Sequence, residues 1–499
     1  LRTLVGDLVA YRIGQAMSGT LGKRLYDALQ QSIQEGTLAP GTRLPASRDL
    51  AAELEVSRNT VIAAYEQLQS EGYLKTRKGS GTFISDRLPE PDMPVGEERL
   101  DGAQNTSGQL TLSRRGEQLL SRSGASQRQW GAFMPGVPDV RHFPHKTWQK
   151  IVRRLNARLP VELLSYSQHG GYAPLQHALV DYLRVARSVR CTTDQILITS
   201  GTHQSLDLLA KMLFNPGDRV WVEEPGYWGH RSVLEINGLQ TVPVTVDDDG
   251  MQLPSTGEVT VPPGLICVTP SHQYPTGSVM GLERRKALLM QAKAWGSLIV
   301  EDDYDSEFRY GENPISSLQG LDASDSVIYL GTFSKTLYPG LRTSYMVVPK
   351  PLAERLKIAH SELYRGGYGI TQLTLAEFIR EGHYAAHVRQ MRQLYSRRRE
   401  ALVEVICREL GPEFIGQNSN AGLHLILALP ETVDDVALSR LLEQQEVWTR
   451  PLSVYYQAEA KRRGLILGYA CVDEAAMAET FMPIVRCLKS QNSACAGKF

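Results

Sequence analysis

From Leu21 onward the apolar positions follow a helical period: Leu21, Leu25, Leu29 and Ile33, with Ala28 between, form one stripe. Gly36 stops that helix and Pro40-Gly41 turns the chain. Ser47 is placed to cap a second helix, Arg48 to Glu55, whose Leu50, Ala51 and Leu54 face inward. Ser57 is placed to cap a third, Arg58 to Ser70, with Val61, Ala64, Tyr65 and Leu68 on one face. The short Glu55-Val56 link between them has the spacing of a helix-turn-helix. After Gly72, two β-prone runs within residues 73–84 flank a basic, Gly-rich tip, which reads as a hairpin wing. Residues 1–19 have weak periodicity and read as an arm or a frayed lead-in.

Beyond a polar stretch rich in Pro, Gly, Ser and Gln at residues 87–127, the pattern changes. Continuous apolar runs of strand length alternate with helical stretches: Gln195 to Thr199, Arg219 to Glu223, Leu265 to Thr269, Leu298 to Asp302 and Val327 to Leu330. Strands of this kind indicate a mainly parallel sheet covered on both faces. The fold class is therefore α/β, and ligands are expected beyond the strand C-termini. We divide the chain into an N-terminal helical domain (1–86), a largely extended linker (87–127) and a large domain (128–499).

Composition narrows the class. A chain of 499 residues exceeds one ordinary domain. Its 54 basic and 54 acidic residues cancel, so a nucleic-acid contact would need a local patch. The six cysteines are scattered without a Cys-x-x-Cys pair, so reduced thiols are expected, with no disulfide framework and no metal site. No apolar run reaches the length of a membrane span and the start lacks a signal-peptide pattern, so a cytoplasmic protein without a membrane partner is expected.

Candidate chemistry falls in two places. At the start of the third helix, Arg58 and Asn59 can hydrogen-bond base edges and the Thr60 methyl suits thymine. Lys75, Arg77 and Lys78 on the wing can neutralise phosphates. Residues 20–86 resemble the winged helix-turn-helix of the GntR class of bacterial regulators. The resemblance rests on Pro40-Gly41-Thr42-Arg43-Leu44-Pro45-Ala46-Ser47-Arg48-Asp49-Leu50-Ala51 and on Ser57-Arg58-Asn59-Thr60-Val61. It implies double-stranded DNA as partner, contacted by Arg48, Arg58, Asn59, Thr60, Lys78 and Gly79.

The second place is Gly331-Thr332-Phe333-Ser334-Lys335, which follows a buried-strand pattern and precedes Arg342 by seven positions. A lysine there can form a Schiff base with an aldehyde cofactor, provided burial beside cations frees its amine. Ser200-Gly201-Thr202, between a strand and a helix start, can hold an anion. Asp302 can pair with a protonated ring nitrogen, Tyr304 can donate to a ring oxygen and Tyr227 can stack. These are the needs of pyridoxal 5′-phosphate (PLP). Residues 128–488 resemble the fold-type-I aminotransferases. That resemblance makes Lys335 the Schiff-base lysine, Asp302 the pyridinium partner and Tyr304 the donor to the ring oxygen. It assigns the phosphate to Ser200, Gly201, Thr202, Thr332 and Arg342, and stacking to Tyr227.

Two departures bear on activity. The usual Asn-Pro-x-Gly stands here as Tyr274-Pro275-Thr276-Gly277, and the late strand Gly464 to Ala470 lacks the arginine that holds a substrate carboxylate. Arg450, or Arg231, is left to supply that cation for an effector. Both departures count against efficient transamination. The two halves together resemble the MocR subfamily of GntR regulators, which implies a domain-swapped homodimer. The reading is a PLP-dependent regulator that senses an amine, an amino acid or PLP itself. An active aminotransferase with an accessory domain is the alternative, and a sensor working through a protein partner is a third.

Overall fold

The structure, a computed structural model, describes residues 3–15, 19–77, 81–86, 111–121, 130–165, 170–254, 257, 259–310, 316–416 and 420–496. The chain divides into two compact units, 1–110 and 111–499.

The first unit is built on α1 (Leu4–Gln15), α2 (Leu21–Gln34), α3 (Ser47–Leu54) and α4 (Arg58–Ser70). The apolar stripe of α2 meets Leu50, Val61 and Leu68 in one core. Val9 of α1 joins that core, so this part of the N-terminal arm is ordered. Ser47 is not a cap: Ala46 occupies that position and α3 begins at Ser47 itself. The Ser47 hydroxyl instead lies 3.4 Å from Arg58 Nε. Ser57 does cap α4, its oxygen accepting from Thr60 N at 3.1 Å. Glu55 closes α3 in the left-handed region (φ 56°), which turns the chain sharply toward α4. Strands β1 (Leu74–Arg77) and β2 (Gly81–Ile84) pair antiparallel as the wing, in register from Leu74↔Ile84 to Arg77↔Gly81.

The second unit carries an eight-stranded sheet in the order β3-β10-β9-β8-β7-β4-β5-β6. Its strands are β3 (Ile196–Thr199), β4 (Arg219–Glu224), β5 (Gln240–Asp247), β6 (Gly250–Met251), β7 (Leu265–Val268), β8 (Leu298–Asp303), β9 (Val327–Thr332) and β10 (Ser344–Val347). The five strands β5, β4, β7, β8 and β9 run parallel, while β10 is antiparallel to both β3 and β9. Every residue of β3, β7, β9 and β10 is buried, which explains their unbroken apolar runs. Clusters of aliphatic and aromatic side chains fill both faces. A smaller antiparallel sheet, β11 (His424–Leu429), β12 (Arg450–Pro451) and β13 (Arg463–Gly468), follows in the order β11-β13-β12.

The expected extended linker is only partly within the described residues, since 87–110 and 122–129 lie outside them. Residues 114–121 are helical rather than extended, and Arg115 donates to the carbonyl of Ile236 at 3.2 Å in the second unit. Cys191, Cys267, Cys407, Cys471 and Cys487 are free thiols. Among the described residues no helix is long and apolar enough to cross a membrane.

Candidate functional site

At the C-terminal ends of the parallel strands lies a cavity of about 300 Å³. The strand ends β3, β4, β7, β8 and β9 bring Gly201, Thr202, Tyr227, Thr269, Asp302, Tyr304, Thr332, Ser334 and Lys335 to its wall, with Arg342 from the turn after Lys335.

Alternation along β8 decides which acid reaches the cavity. Asp302 faces it, whereas Glu301 and Asp303 point the other way. Glu301 accepts the Leu318 and Gln319 amides, and Asp303 accepts from Arg187 and Tyr329. Asp302 Oδ2 lies 2.8 Å from His230 Nε2, while its buried Oδ1 has no hydrogen-bond partner. Lys335 Nζ donates to Gly136 O at 2.7 Å. Burial pulls the Lys335 ammonium below its ordinary range, against Asp305 and Asp302, which favour the charged form. The Tyr227 hydroxyl is 3.1 Å from His203 Nε2, and burial keeps this phenol protonated.

Gly201 opens the helix Thr202–Leu213 with φ 130°, a conformation suited to glycine. A Cβ there would lie 3.0 Å from Arg342 Nη2, so the guanidinium is packed against the bare backbone. Thr332 Oγ1 accepts from Ser334 N at 3.1 Å and from Ser344 Oγ at 2.8 Å. A helix start, hydroxyls and an arginine thus converge on one corner, which suits an anion. Ser200 lines a small neighbouring recess together with Arg342, and its N–H is taken by Gln204 Oε1 at 2.7 Å.

Of the two candidate effector cations, Arg450 lines the cavity. Arg231, on the helix Trp228–Ile236, lines instead a neighbouring recess that shares Tyr227, Trp228 and Tyr455 with the cavity. Tyr274, at the asparagine position, lines the cavity and shares a hydrogen bond of 3.0 Å with Tyr455.

In the first unit Arg48, Arg58 and Asn59 are exposed. Thr60 is engaged locally: its hydroxyl lies 2.8 Å from Ser57 Oγ, and a Cβ at Gly22 would meet its methyl carbon at 3.5 Å. Lys75 pairs with Asp86, and Arg77 lies over the Phe83 ring, 5.2 Å from its centroid. Both wing cations therefore already have intramolecular partners. Lys78 and Gly79 lie outside the described residues.

Comparison with known proteins assigns both halves. Residues 138–480 match the aminotransferase class I and II family, and residues 21–84 match the gntR family of bacterial regulatory proteins. The probable rhizopine catabolism regulatory protein MocR of Rhizobium meliloti is 39% identical over 458 residues, 92% of this chain and 91% of that protein. The chain belongs to the MocR subfamily of GntR regulators. The pyridoxine biosynthesis transcriptional regulator PdxR of Corynebacterium glutamicum is 32% identical over 461 residues, 90% of this chain and 92% of the relative. LysN, an α-aminoadipate aminotransferase of Thermus thermophilus, superposes with a TM-score of 0.68 at 27% identity, covering 77% of this chain and 100% of the enzyme. The large unit of this MocR-type chain accordingly has the fold-type-I aminotransferase architecture.

Several groups at the MocR-type site escaped the sequence reading. His230 had a local signal, three residues after Tyr227 and one helical turn into the same helix. His203, one residue after Ser200-Gly201-Thr202, was equally close to a recognised motif. Gly136, whose carbonyl meets Lys335 across 199 residues, had none.

Proposed function

We propose that this MocR-type chain is a transcriptional regulator whose winged helix binds double-stranded DNA and whose large unit takes PLP at Lys335. An amine, an amino acid or the B6 vitamer itself would then be read beside that lysine. One observation carries the cofactor reading: a buried carboxylate oxygen, Asp302 Oδ1, lacks a partner while its twin is held by His230. An unpaired buried acceptor is costly, and a protonated ring nitrogen supplies the missing donor.

PLP supplies an aldehyde that condenses with amines and a ring that withdraws electrons. The residues divide the rest of the work. Asp302 would hold the proton on the ring nitrogen, with His230 fixing its orientation. Tyr227 would cover the ring face, and Tyr304 would donate to the ring oxygen. Gly201, Thr202, Thr332, Ser334 and Arg342 would receive the phosphate, with Ser200 shaping the turn behind them. Burial makes the Lys335 amine available uncharged at lower pH than an exposed lysine. No ion pair of Arg450 or Arg342 occurs among the described residues, so each guanidinium is available to an anion, Arg450 to an effector carboxylate.

The two regulators compared above are named for rhizopine catabolism and pyridoxine biosynthesis, so the effector does not carry over from either. An effector that displaces Lys335 changes the contacts around the cavity, and this difference is what can bias DNA binding. We place the protein in the cytoplasm as a homodimer with exchanged DNA-binding domains, the arrangement the family resemblance implies. Domain limits of 1–86, 87–127 and 128–499 belong to the same proposal.

Lys335→Ala tests the reading. It should abolish the visible absorption of lysine-bound PLP and the response of operator binding to effector. Persistence of both would overturn it. The set of groups facing the cavity also favours a second reading, a working aminotransferase. Sustained turnover with a panel of amino donors and keto acids would select that reading.

A further inference from the structure

Tyr304 stands between the cavity and a buried pair behind it. Its hydroxyl oxygen lies 2.9 Å from His272 Nδ1. The same nitrogen faces both carboxylate oxygens of Asp305, at 3.0 and 3.1 Å. His272 and Asp305 are 3% and 1% exposed. Gly422 seals them from behind, since a Cβ there would lie 2.0 Å from His272 Cε1 and 2.6 Å from Asp305 Oδ2.

Three oxygens around one ring nitrogen decide where the hydrogens go. A bare lone pair on Nδ1 would face the lone pairs of Asp305, so a hydrogen must occupy the line between them. It sits either on Nδ1, bonded to a carboxylate, or on Asp305, bonded to Nδ1. In both cases Nδ1 has no lone pair left for Tyr304. Burial, followed by the charge of Asp305, pushes the Tyr304 phenol well above its ordinary range, so it keeps its own hydrogen. That hydrogen cannot be given to His272 and is left for the cavity that Tyr304 lines. Without Asp305 the imidazole is free to take the other tautomer, accept from Tyr304 and draw its hydrogen away.

We propose that Asp305 is a positioning residue that, by occupying Nδ1 of His272, leaves the Tyr304 hydroxyl hydrogen for the cavity, where it meets an oxygen of the bound ligand. On the PLP reading above, on which this rests, that oxygen is the one on the ring. The titratable groups around the cluster include Asp302, Asp303, Glu223, Tyr274, His424 and Lys335, with Tyr310 and Tyr469 on the Gly422 side.

The test uses the full-length protein loaded with PLP and follows the pH midpoint of its visible absorption. Loss of a donor disfavours the form with the more negative ring oxygen, so the midpoint rises. Tyr304→Phe should raise it by on the order of one pH unit. Asp305→Ala should raise it in the same direction, whereas Asp305→Asn and His272→Phe should not, because the amide still occupies Nδ1 and phenylalanine has no ring nitrogen to accept from Tyr304. In a Tyr304→Phe background Asp305→Ala should raise it no further, because that rise acts through the lost hydroxyl. A midpoint not raised by Asp305→Ala, or an equal rise with and without the Tyr304 hydroxyl, would overturn the proposal. Failure of the wild type to take up PLP at all would instead remove the cofactor reading, and this proposal with it.

Discussion

His230 Nε2 sits 2.8 Å from Asp302 Oδ2, and both side chains are buried beneath the cavity. This bond leaves Oδ1 as the carboxylate oxygen without a partner. A carboxylate held at one oxygen cannot rotate away from a ring above it. His230→Gln should therefore weaken PLP binding by about tenfold, the worth of one ordinary hydrogen bond. Asp302→Ala should cost considerably more. Equilibrium titration by absorbance checks both, and equal affinities for wild type and His230→Gln would argue against the orienting role.

The anion corner depends on a missing side chain. At Gly201 the backbone has φ 130°, and a Cβ would come within 3.0 Å of Arg342 Nη2. Gly201→Ala should strain the turn by about 1–3 kcal/mol and push the guanidinium off its seat. We expect a lowered unfolding midpoint together with at least tenfold weaker PLP binding. Unchanged phosphate-dependent affinity, measured as PLP against pyridoxal, would show that Arg342 does not hold the anion.

Much of this site was legible because its parts sit next to strong local signals. The apolar runs of β8 and β9 are buried almost throughout, and Asp302 and Lys335 emerge just at or beyond their ends. Choosing Arg450 over Arg231 was not a local matter. Arg231 lines a neighbouring recess that shares Tyr227, Trp228 and Tyr455 with the cavity, whereas pairing of β12 with β13 carries Arg450 to the cavity from a distant part of the chain. The bond between Tyr304 and His272 joins residues 32 apart, each within a quoted motif, yet spacing alone could not reveal that they meet. The misassigned cap at Ser47 has a simpler cause. Serine suits both the cap and the first turn, and Ala46 takes the cap with an extended backbone and no side-chain bond.

Buried histidines predict how the large unit responds to acid. His424 is 2% exposed, donates from Nε2 to Pro275 O at 3.1 Å, and has its pKa pulled to about 3 by burial and then by the neighbouring charge of His272. In the unfolded chain it titrates near ~6.5. Between these values the unfolded state binds the extra proton, so stability falls as pH falls, by up to about 1.4 kcal/mol per unit. His387, pulled to about 4, acts in the same direction. Glu307, pushed up to about 7 by burial, acts oppositely and loses stability as pH rises toward that value. All six tryptophans lie in the large unit, so denaturant curves read by their fluorescence isolate it. His424→Gln should flatten the loss below pH ~6.5 by about one proton, and an unchanged slope would mean His424 is charged in the folded state.

At the DNA-binding end, the geometry separates residues that support α4 from those available to bases. Ser57 Oγ accepts from Thr60 N at 3.1 Å and lies 2.8 Å from Thr60 Oγ1, so both side chains belong to the cap. Arg58 and Asn59 are exposed at the same helix start, with Arg58 Nε 3.4 Å from Ser47 Oγ. Ser57→Ala should cost about 1 kcal/mol of stability in the first unit, with a matching loss of DNA affinity across all sequences. Arg58→Ala should leave stability unchanged but weaken binding to the preferred duplex by about 1–3 kcal/mol and relax its sequence preference. Thr60→Ser keeps the cap and removes only the methyl, so it separates base contact from support. The methyl lies toward Gly22, and little change in sequence preference is expected. Fluorescence anisotropy with a duplex selected from a random pool, repeated at two salt concentrations, distinguishes these outcomes. A marked loss of preference in Thr60→Ser would return that methyl to the base-reading set.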